Sequence, residues 1–177
     1  MNFLKKLFQK KPQLPPADLS ILRTDIHSHL IPGIDDGAKT LEDSLNLIRA
    51  FKELGYKKLI TTPHIMSDQY RNTPEIILEG LKKVRAEIKN QNLEMELDAA
   101  AEYYIDHEFL KLIEDKNLLS FGNKYVLVEM SFFSEPPMLK DALFNLQIAG
   151  YKPVLAHAER YSFWHNSYDK FEEMRAR

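Results

Sequence analysis

The feature that most constrains the fold is a regular alternation of short apolar segments with amphipathic ones. Five apolar segments predict strands: LRTDIHS, KKLITT, LEMELDAAA, KYVLVEM and KPVLAHA. Helical patterns separate them, and one more, SYDKFEEMRAR, follows the fifth. Because strands that alternate with helices are joined by crossover connections, they pair in parallel. The pattern therefore predicts an α/β fold, either an open parallel sheet or a (β/α) barrel.

Local signals mark where the helices begin and end. Thr40 is a predicted N-cap, Asp43 completes an approximate capping box with it, and Gly55 ends this first helix. Thr73 is a second predicted N-cap, followed by a proline at the first helical position. The helices are predicted, in order, over LEDSLNLIRAFKEL, from Pro74 to about Asn90, around residues 107–114 and from about Met138 to Ala149.

Composition bounds the class of protein. The chain has 177 residues, of which 44% are hydrophobic and 28% charged, as in a globular domain with a buried core. A net charge of -2 gives no signal for nucleic-acid binding. The absence of cysteine excludes disulfides, thiolate metal sites and cysteine nucleophiles. No apolar run approaches the roughly 20 residues that span a bilayer.

The first 20 residues differ in character from the rest. Phe3, Leu4, Leu7 and Phe8 fall at helical spacing among lysines, as in a short helix that lies on an anionic membrane surface. The favoured interpretation is instead a solvated tail. Prolines mark the end of this segment, so we predict a tail and proline-rich linker over residues 1–20 and a domain over residues 21–177.

Potential metal ligands stand at the carboxyl end of every predicted strand. They are His27, His29, His64, Glu102, Glu129, His157 and Glu159. The carboxyl ends of parallel strands meet at one side of an α/β barrel, where functional groups converge. One such residue would be unremarkable at a strand tip, but so many at equivalent positions favour a metal cluster.

The first cluster candidates form the stretch HSHLIPGIDDG. His27 and His29 lie two apart on a strand, so their side chains point the same way with Cα atoms roughly 6.5 Å apart. Asp35 and Asp36 add hard oxygen donors, which suit Mn, Mg or Fe. We predict Asp36 as a ligand and Asp35 as a turn residue before Gly37. The two remaining histidines, His107 and His165, are predicted to lie at the surface.

Arg160 follows the last cluster residues, and its guanidinium suits bidentate capture of phosphate. The alternative is a salt bridge with Glu159 or a helix carboxylate. Arg71 is a weaker candidate for the same role. Aromatic residues that wall a pocket or pack in the core are Tyr70, Tyr103, Phe132, Phe133 and Trp164. Together these groups predict metal-assisted hydrolysis of a phosphate ester or an amide.

The motifs DIHSHLIPGIDDGAKT, TTPH, AEYY, LVEMS and AHAERY resemble those of the PHP (polymerase and histidinol phosphatase) superfamily. They are most similar to its CpsB/CapC branch of capsular-polysaccharide tyrosine phosphatases, from about Asp25 to Tyr161. The resemblance implies a distorted (β/α)7 barrel holding two to three ions, Mn²⁺ by preference, with Fe, Zn, Mg or Co as alternatives. It implies catalytic roles for Arg160, His64 and Asp36, and phosphate binding by Arg160 and Arg71. The implied ligands are His27, His29, Asp36, His64, Glu102, Glu129 and His157.

The resemblance also implies a substrate and a place in the cell. The substrate would be phosphotyrosine on a membrane-bound bacterial tyrosine kinase that regulates capsule or exopolysaccharide synthesis. The protein would be cytoplasmic, with weak contact to the inner face of the membrane through residues 1–11. One alternative is a phosphatase for a small phosphomonoester such as histidinol phosphate, and another is an inactive module that binds phosphotyrosine.

The sequence departs from the family pattern at its end. The family closes its site with a later Asp-x-His motif on a last strand, whereas this chain stops at Arg177 in a predicted helix. We therefore expect a fragment of a longer protein that lacks two ligands and the closing strands. An open barrel would leave an edge strand exposed for pairing or aggregation.

Overall fold

A computed structural model describes residues 17–175 of the chain. The predicted interfacial helix or tail, with residues 1–11, lies outside the described residues. Among the described residues, no helix is both long and apolar enough to cross a membrane.

Seven strands and five α-helices follow one another along the described chain. The strands are β1 (Thr24–Ser28), β2 (Lys58–Thr61), β3 (His64–Ile65), β4 (Glu96–Ala99), β5 (Glu102–Tyr104), β6 (Tyr125–Glu129) and β7 (Lys152–Leu155). The helices are α1 (Leu41–Glu53), α2 (Pro74–Asn90), α3 (His107–Glu114), α4 (Leu139–Ile148) and α5 (Tyr168–Arg175). Each lies where the sequence predicts a strand or a helix, apart from the two additional strands described below.

The strands form two parallel sheets, which confirms the predicted α/β class. One sheet has the order β1-β2-β4 and the other the order β3-β5-β6-β7. All strand pairs are parallel, in register pairs such as Thr61↔Ala99 and Val128↔Leu155.

The second and third predicted strands are each divided in two, and this division creates the second sheet. The chain leaves β2 through Thr62 and Pro63 before it enters β3. Proline has no amide hydrogen, so it interrupts a ladder of backbone hydrogen bonds. The Pro63 carbonyl still accepts a hydrogen bond from Glu102 N at 3.0 Å, which ties the two breaks together. His64 and Glu102 therefore begin neighbouring strands of the second sheet, directly opposite each other.

The helices are capped as predicted and fix the sheets through two apolar cores. Thr40 and Asp43 form a reciprocal capping box at α1, and the Thr73 hydroxyl accepts from Ile76 N at α2. One core joins α1 and α2 to the first sheet, and the other joins α3 and α4 to the second sheet. Burial of these side chains holds the strand ends in place. Both cores leave the carboxyl ends of the strands open to the site.

Candidate metal centre

Glu102 lies at the centre of the cluster, with its side chain fully buried. Its Oε1 atom lies 3.6 Å from His27 Nε2 and 3.4 Å from His157 Nε2. Its Oε2 atom lies 3.4 Å from His29 Nε2 and 3.3 Å from His64 Nδ1. Each carboxylate oxygen thus faces its own pair of imidazole rings.

The donor atoms of this cluster fit divalent cations. Both Glu102 oxygens and His64 Nδ1 are buried without a hydrogen-bond partner among the described residues. A buried carboxylate is destabilising by several kcal/mol unless it is paired or bound to a metal. A carboxylate with each oxygen beside a separate pair of nitrogen donors has the form of a bridging ligand between two cations.

His27 and His157 bring the first and last strands of the chain together. Their Nε2 atoms are 3.2 Å apart, although the residues are 130 positions apart in sequence. The Nδ1 atom of His27 lies 2.7 Å from the Thr62 hydroxyl, which fixes the ring. His157 adopts a left-handed backbone conformation with φ of 50°, which is uncommon outside glycine. Such backbone conformations cluster at functional sites.

Asp35 holds His29 in place and also forms the predicted turn. Its Oδ2 atom lies 2.7 Å from His29 Nδ1 and accepts a hydrogen bond from His64 N at 3.1 Å. Its Oδ1 atom accepts from Gly37 N at 3.0 Å. Burial would lower the pKa of His29, but the hydrogen bonds to Asp35 and Glu102 outweigh it and raise the pKa to about 10. A carboxylate on the second ring nitrogen is the usual support of a metal-binding histidine.

Asp36 and Glu129 extend the cluster toward the surface. Asp36 is exposed, with Oδ1 at 3.7 Å from His64 Nε2 and 3.8 Å from His29 Nδ1. Glu129 Oε2 lies 3.7 Å from His64 Nδ1. The donors fall into three overlapping groups in which the ligand atoms lie within 4.8 Å of one another: His27, His29 and Glu102; His29, Asp36 and His64; His64, Glu102 and Glu129.

The environment adjusts the protonation of these groups in opposite directions. Burial lowers the pKa values of His27 and His64, which favours the neutral rings that bind metals. Burial would raise the pKa of Glu102, but the neighbouring imidazoles, His29 foremost, lower it. Burial and then the charge of Glu102 raise the pKa of Glu129 to about 7.

The cluster forms the floor of a cavity of about 740 Å³. Arg160 lies at its side, with Cζ 3.9 Å from the centre of the Phe132 ring, a cation–π contact. Tyr70 stacks on His64 with a ring separation of 5.3 Å and an angle of 9°. Phe133 lines the same cavity and is 93% exposed. The cavity therefore combines a cation and three aromatic rings with the metal-binding groups.

Several predicted site residues lie elsewhere. Arg71 lines a separate cavity, and its Nε atom donates to the Ser67 carbonyl at 2.9 Å, which is at odds with a role in holding phosphate at the cluster. Tyr103 and Trp164 are buried in the core rather than in the cavity wall. Glu159 is exposed and is not part of any of the three ligand groups. His107 and His165 are exposed, as predicted.

Sequence reasoning missed the residues that support the ligands. Thr62 contacts His27, and Asp35 was given only a turn role. The Tyr161 hydroxyl donates to the Ala156 carbonyl at 2.8 Å and accepts from Met130 N at 3.3 Å, which joins the chain before His157 to the end of β6. Thr62 and Asp35 are polar residues close in sequence to predicted ligands, and this closeness could have identified them as supporting residues. The sequence around Tyr161 gave no such indication, because its partners lie on two different strand ends.

Comparison with known proteins gives a consistent result. The family described as "Capsular polysaccharide synthesis, CpsB/CapC" matches residues 23–177. The chain is 32% identical to the tyrosine-protein phosphatase YwqE of Bacillus subtilis over 77% of its own length and 54% of that protein. It is 30% identical to the tyrosine-protein phosphatase CpsB of Streptococcus agalactiae over 85% of its length and 62% of that protein. The chain thus spans little more than half the length of these relatives.

A solved structure is similar as well. It comes from a study of YwqE from Bacillus subtilis and CpsB from Streptococcus pneumoniae, described as metal-dependent tyrosine phosphatases. The TM-score is 0.78 at 29% identity, over 85% of this chain and 62% of the other.

Proposed function

The chain belongs to the CpsB/CapC family, and from this premise we propose that it carries the active site of a metal-dependent protein-tyrosine phosphatase. The substrate would be phosphotyrosine on a bacterial tyrosine kinase that controls capsule or exopolysaccharide synthesis. Work at a membrane-bound kinase would place the protein in the cytoplasm, close to the inner face of the membrane.

The buried carboxylate of Glu102, which faces four imidazoles and has no hydrogen-bond partner among the described residues, is the observation that carries this proposal. The proposed ligands are His27, His29, Asp36, His64, Glu102, Glu129 and His157. The bound cations, Mn²⁺ by preference, would supply Lewis-acid activation of the phosphate and of the attacking water. Glu102 would bridge two of them, and Asp35 would keep His29 in the orientation that binding requires.

The cavity wall supports an aromatic phosphate ester as substrate. Arg160 presents a guanidinium that would bind two phosphoryl oxygens and stabilise their charge as the ester bond breaks. Phe132 packs against this guanidinium at 3.9 Å and positions it. Tyr70 and Phe133 offer ring faces for the tyrosine ring. His64 and Asp36 would help to hold a cation that supplies Lewis acidity at the phosphate.

The finer description of the fold forms part of the same proposal. We infer a distorted (β/α)7 barrel of the PHP type. His27 lies on β1, an edge of one sheet, and His157 follows β7, an edge of the other. The Nε2 atoms of these two rings are 3.2 Å apart, and this distance supports an arrangement in which the two sheets curve toward each other around one centre.

The test measures metal content and phosphate release on the purified chain. We expect two or three Mn²⁺ ions per chain, and manganese-dependent release from a phosphotyrosyl peptide. Faster release from histidinol phosphate than from the peptide would instead support the small-ester alternative. Peptide binding without release would support an inactive binding module. The His107→Ala variant is the control for folding. If the wild-type chain is folded as this control is but binds no metal, the result would contradict the proposed centre.

A further inference from the structure

A second cavity lies beside the cluster cavity, and Met66 lines both. Its volume is about 290 Å³, which is at the small end for ligand sites and suits one large side chain rather than a cofactor. Apolar side chains form much of its wall, including Ile65, Phe109 and Leu112. The cavity is therefore suited to an apolar group that enters from the same face as the substrate.

The segment 66–72, between β3 and α2, forms the wall between the two cavities. Tyr70 lines the cluster cavity, and Arg71, the next residue, lines the second one. The Asn72 side-chain amide donates to the His64 carbonyl at 2.8 Å, which anchors the end of this segment beside the cluster. The wall is therefore held in place by the protein itself, so the spacing of the cavities is fixed.

Arg71 supplies a cation at the second cavity. Its side chain is exposed, and its Nε atom donates to the Ser67 carbonyl at 2.9 Å, which leaves the terminal nitrogens for another acceptor. The neighbouring Asp106 carboxylate is already engaged, because its oxygens accept from Ser67 N at 3.0 Å and Phe109 N at 2.9 Å. A peptide carbonyl that passes over the wall would meet the Arg71 guanidinium.

We propose that this second cavity binds an apolar side chain of the phosphotyrosyl substrate, while Arg71 binds a backbone oxygen of the same peptide. The inference rests on the proposed function, since it assumes that phosphotyrosine occupies the cluster cavity. Because Met66 lines both cavities, the apolar side chain lies within a few residues of the phosphotyrosine along an extended peptide. The recognised substrate is thus an extended protein segment, not an isolated phosphotyrosine.

The first experiment compares fluorescent phosphotyrosyl peptides that differ at one position. Leucine or serine is placed, one position at a time, one to four residues before or after the phosphotyrosine, and binding to the manganese-loaded chain is measured by fluorescence anisotropy. One of the leucine peptides should bind at least about tenfold more tightly than its serine counterpart, as expected for an apolar group in a matching pocket. Equal dissociation constants for all peptides, or no binding of any, would overturn the proposal.

The second experiment uses Arg71→Ala, with Lys82→Ala on the exposed side of α2 as the matched control. Arg71→Ala should weaken peptide binding by about threefold to tenfold, the value of one lost hydrogen bond. The Lys82→Ala control should bind peptide, and release phosphate from para-nitrophenyl phosphate, like the wild type. An Arg71→Ala chain that binds peptide like the control would contradict the role of Arg71.

Failure of the proposed function gives a different result. In that case the chain releases phosphate neither from the peptides nor from para-nitrophenyl phosphate. The leucine preference is measured by binding, so it does not depend on turnover. A leucine preference without release would therefore support the second cavity and reject the phosphatase. Release without any leucine preference would support the phosphatase and reject the second cavity.

Discussion

Glu102 combines two opposing effects on the free energy of the protein. Its carboxylate is fully buried, which is unfavourable, but the imidazoles around it lower its pKa and so favour the charged form in the metal-free fold. The same carboxylate faces four imidazoles, so it is the donor shared by most of the cluster. Stability without metal and affinity for metal should therefore both fall when this charge is removed.

Glu102→Gln tests this directly. The substitution keeps the shape of the side chain but removes the charge, so metal affinity should fall by about 100-fold or more. The metal-free variant should be less stable than the wild type by about 1–3 kcal/mol, because the protonated His29 ring loses one of its two carboxylate neighbours. Metal content by mass spectrometry and urea unfolding in chelator measure the two effects. A variant that retains all its metal would contradict the bridging role of Glu102.

Glu129 predicts a pH dependence of metal binding. Its pKa in the metal-free protein is raised to about 7, so a proton competes with the metal as the pH falls below that value. Affinity should therefore fall by up to about tenfold per pH unit below neutrality. Since the folded pKa lies above the unfolded one, Glu129 stabilises the metal-free fold most below pH 4.5, and this contribution is lost as the pH rises through 7.

The measurement is calorimetric titration with Mn²⁺ between pH 5.5 and 8, on the wild type and on Glu129→Gln. The difference between the two should shrink as the pH falls, because the wild-type carboxyl becomes protonated. A constant difference across this range would mean that Glu129 does not titrate there.

The structure brings together the histidines and glutamates of the strand ends and the aspartate before Gly37, residue types whose chemistry suits few other roles at such positions. Their role as metal ligands stays a prediction. The roles of Arg71 and Tyr103 could not be interpreted from the sequence, since an exposed arginine and a buried tyrosine are ordinary in any protein. Which cavity each one lines depends on the path of the segment between β3 and α2, and no local signal specifies that path.

The turn that joins β1 to α1 leaves little room for a larger side chain. A Cβ atom at Gly37 would lie 2.3 Å from both Cβ and the carbonyl oxygen of His29, closer than any real contact. Gly33, in the same turn, has φ of 76° but would place a Cβ no closer than 3.5 Å to its neighbours. Substitutions at the two glycines therefore test two different effects: crowding against the proposed ligand His29 at Gly37, and backbone strain at Gly33.

Gly37→Ala should displace His29 and lower metal affinity by about 10- to 100-fold, comparable to the loss of a supporting contact. Gly33→Ala is the control: it should lose about 1 kcal/mol or more of stability, because alanine disfavours positive φ, yet keep the affinity of the wild type. Equal metal affinity in both variants would show that the backbone can relax around residue 37.

The helices were predictable as elements because each carries its own signals, such as the capping box at Thr40 and the Thr73-Pro74 start. The positions of the strands were predictable, but the points at which the chain leaves one sheet and enters the other were not. The apolar run through Thr61 and Thr62 reads as one strand, yet the chain changes sheets there. That change depends on pairing with segments distant in sequence, which a local pattern does not contain.

Across the whole molecule, the ligands come from strands in both sheets, so metal binding and folding are linked. Ligands that act only in the folded state stabilise it by about 2.7 kcal/mol when the free metal is 100 times its dissociation constant. Thermal unfolding with and without Mn²⁺ should show a higher midpoint with the metal, and the Glu102→Gln variant should lose most of this shift. An unchanged midpoint in the wild type would contradict a preformed centre.

The separation of His27 from His157 has a consequence for how the protein is made. At a synthesis rate of about 5–20 residues per second, the 130 positions between them take roughly 7–26 s to emerge from the ribosome. During that time the early histidines and Asp36 exist without the later donors of the proposed centre. The nascent chain would thus be a poor competitor for cellular metal until β7 docks, and loading of the proposed centre would be a late step of its synthesis.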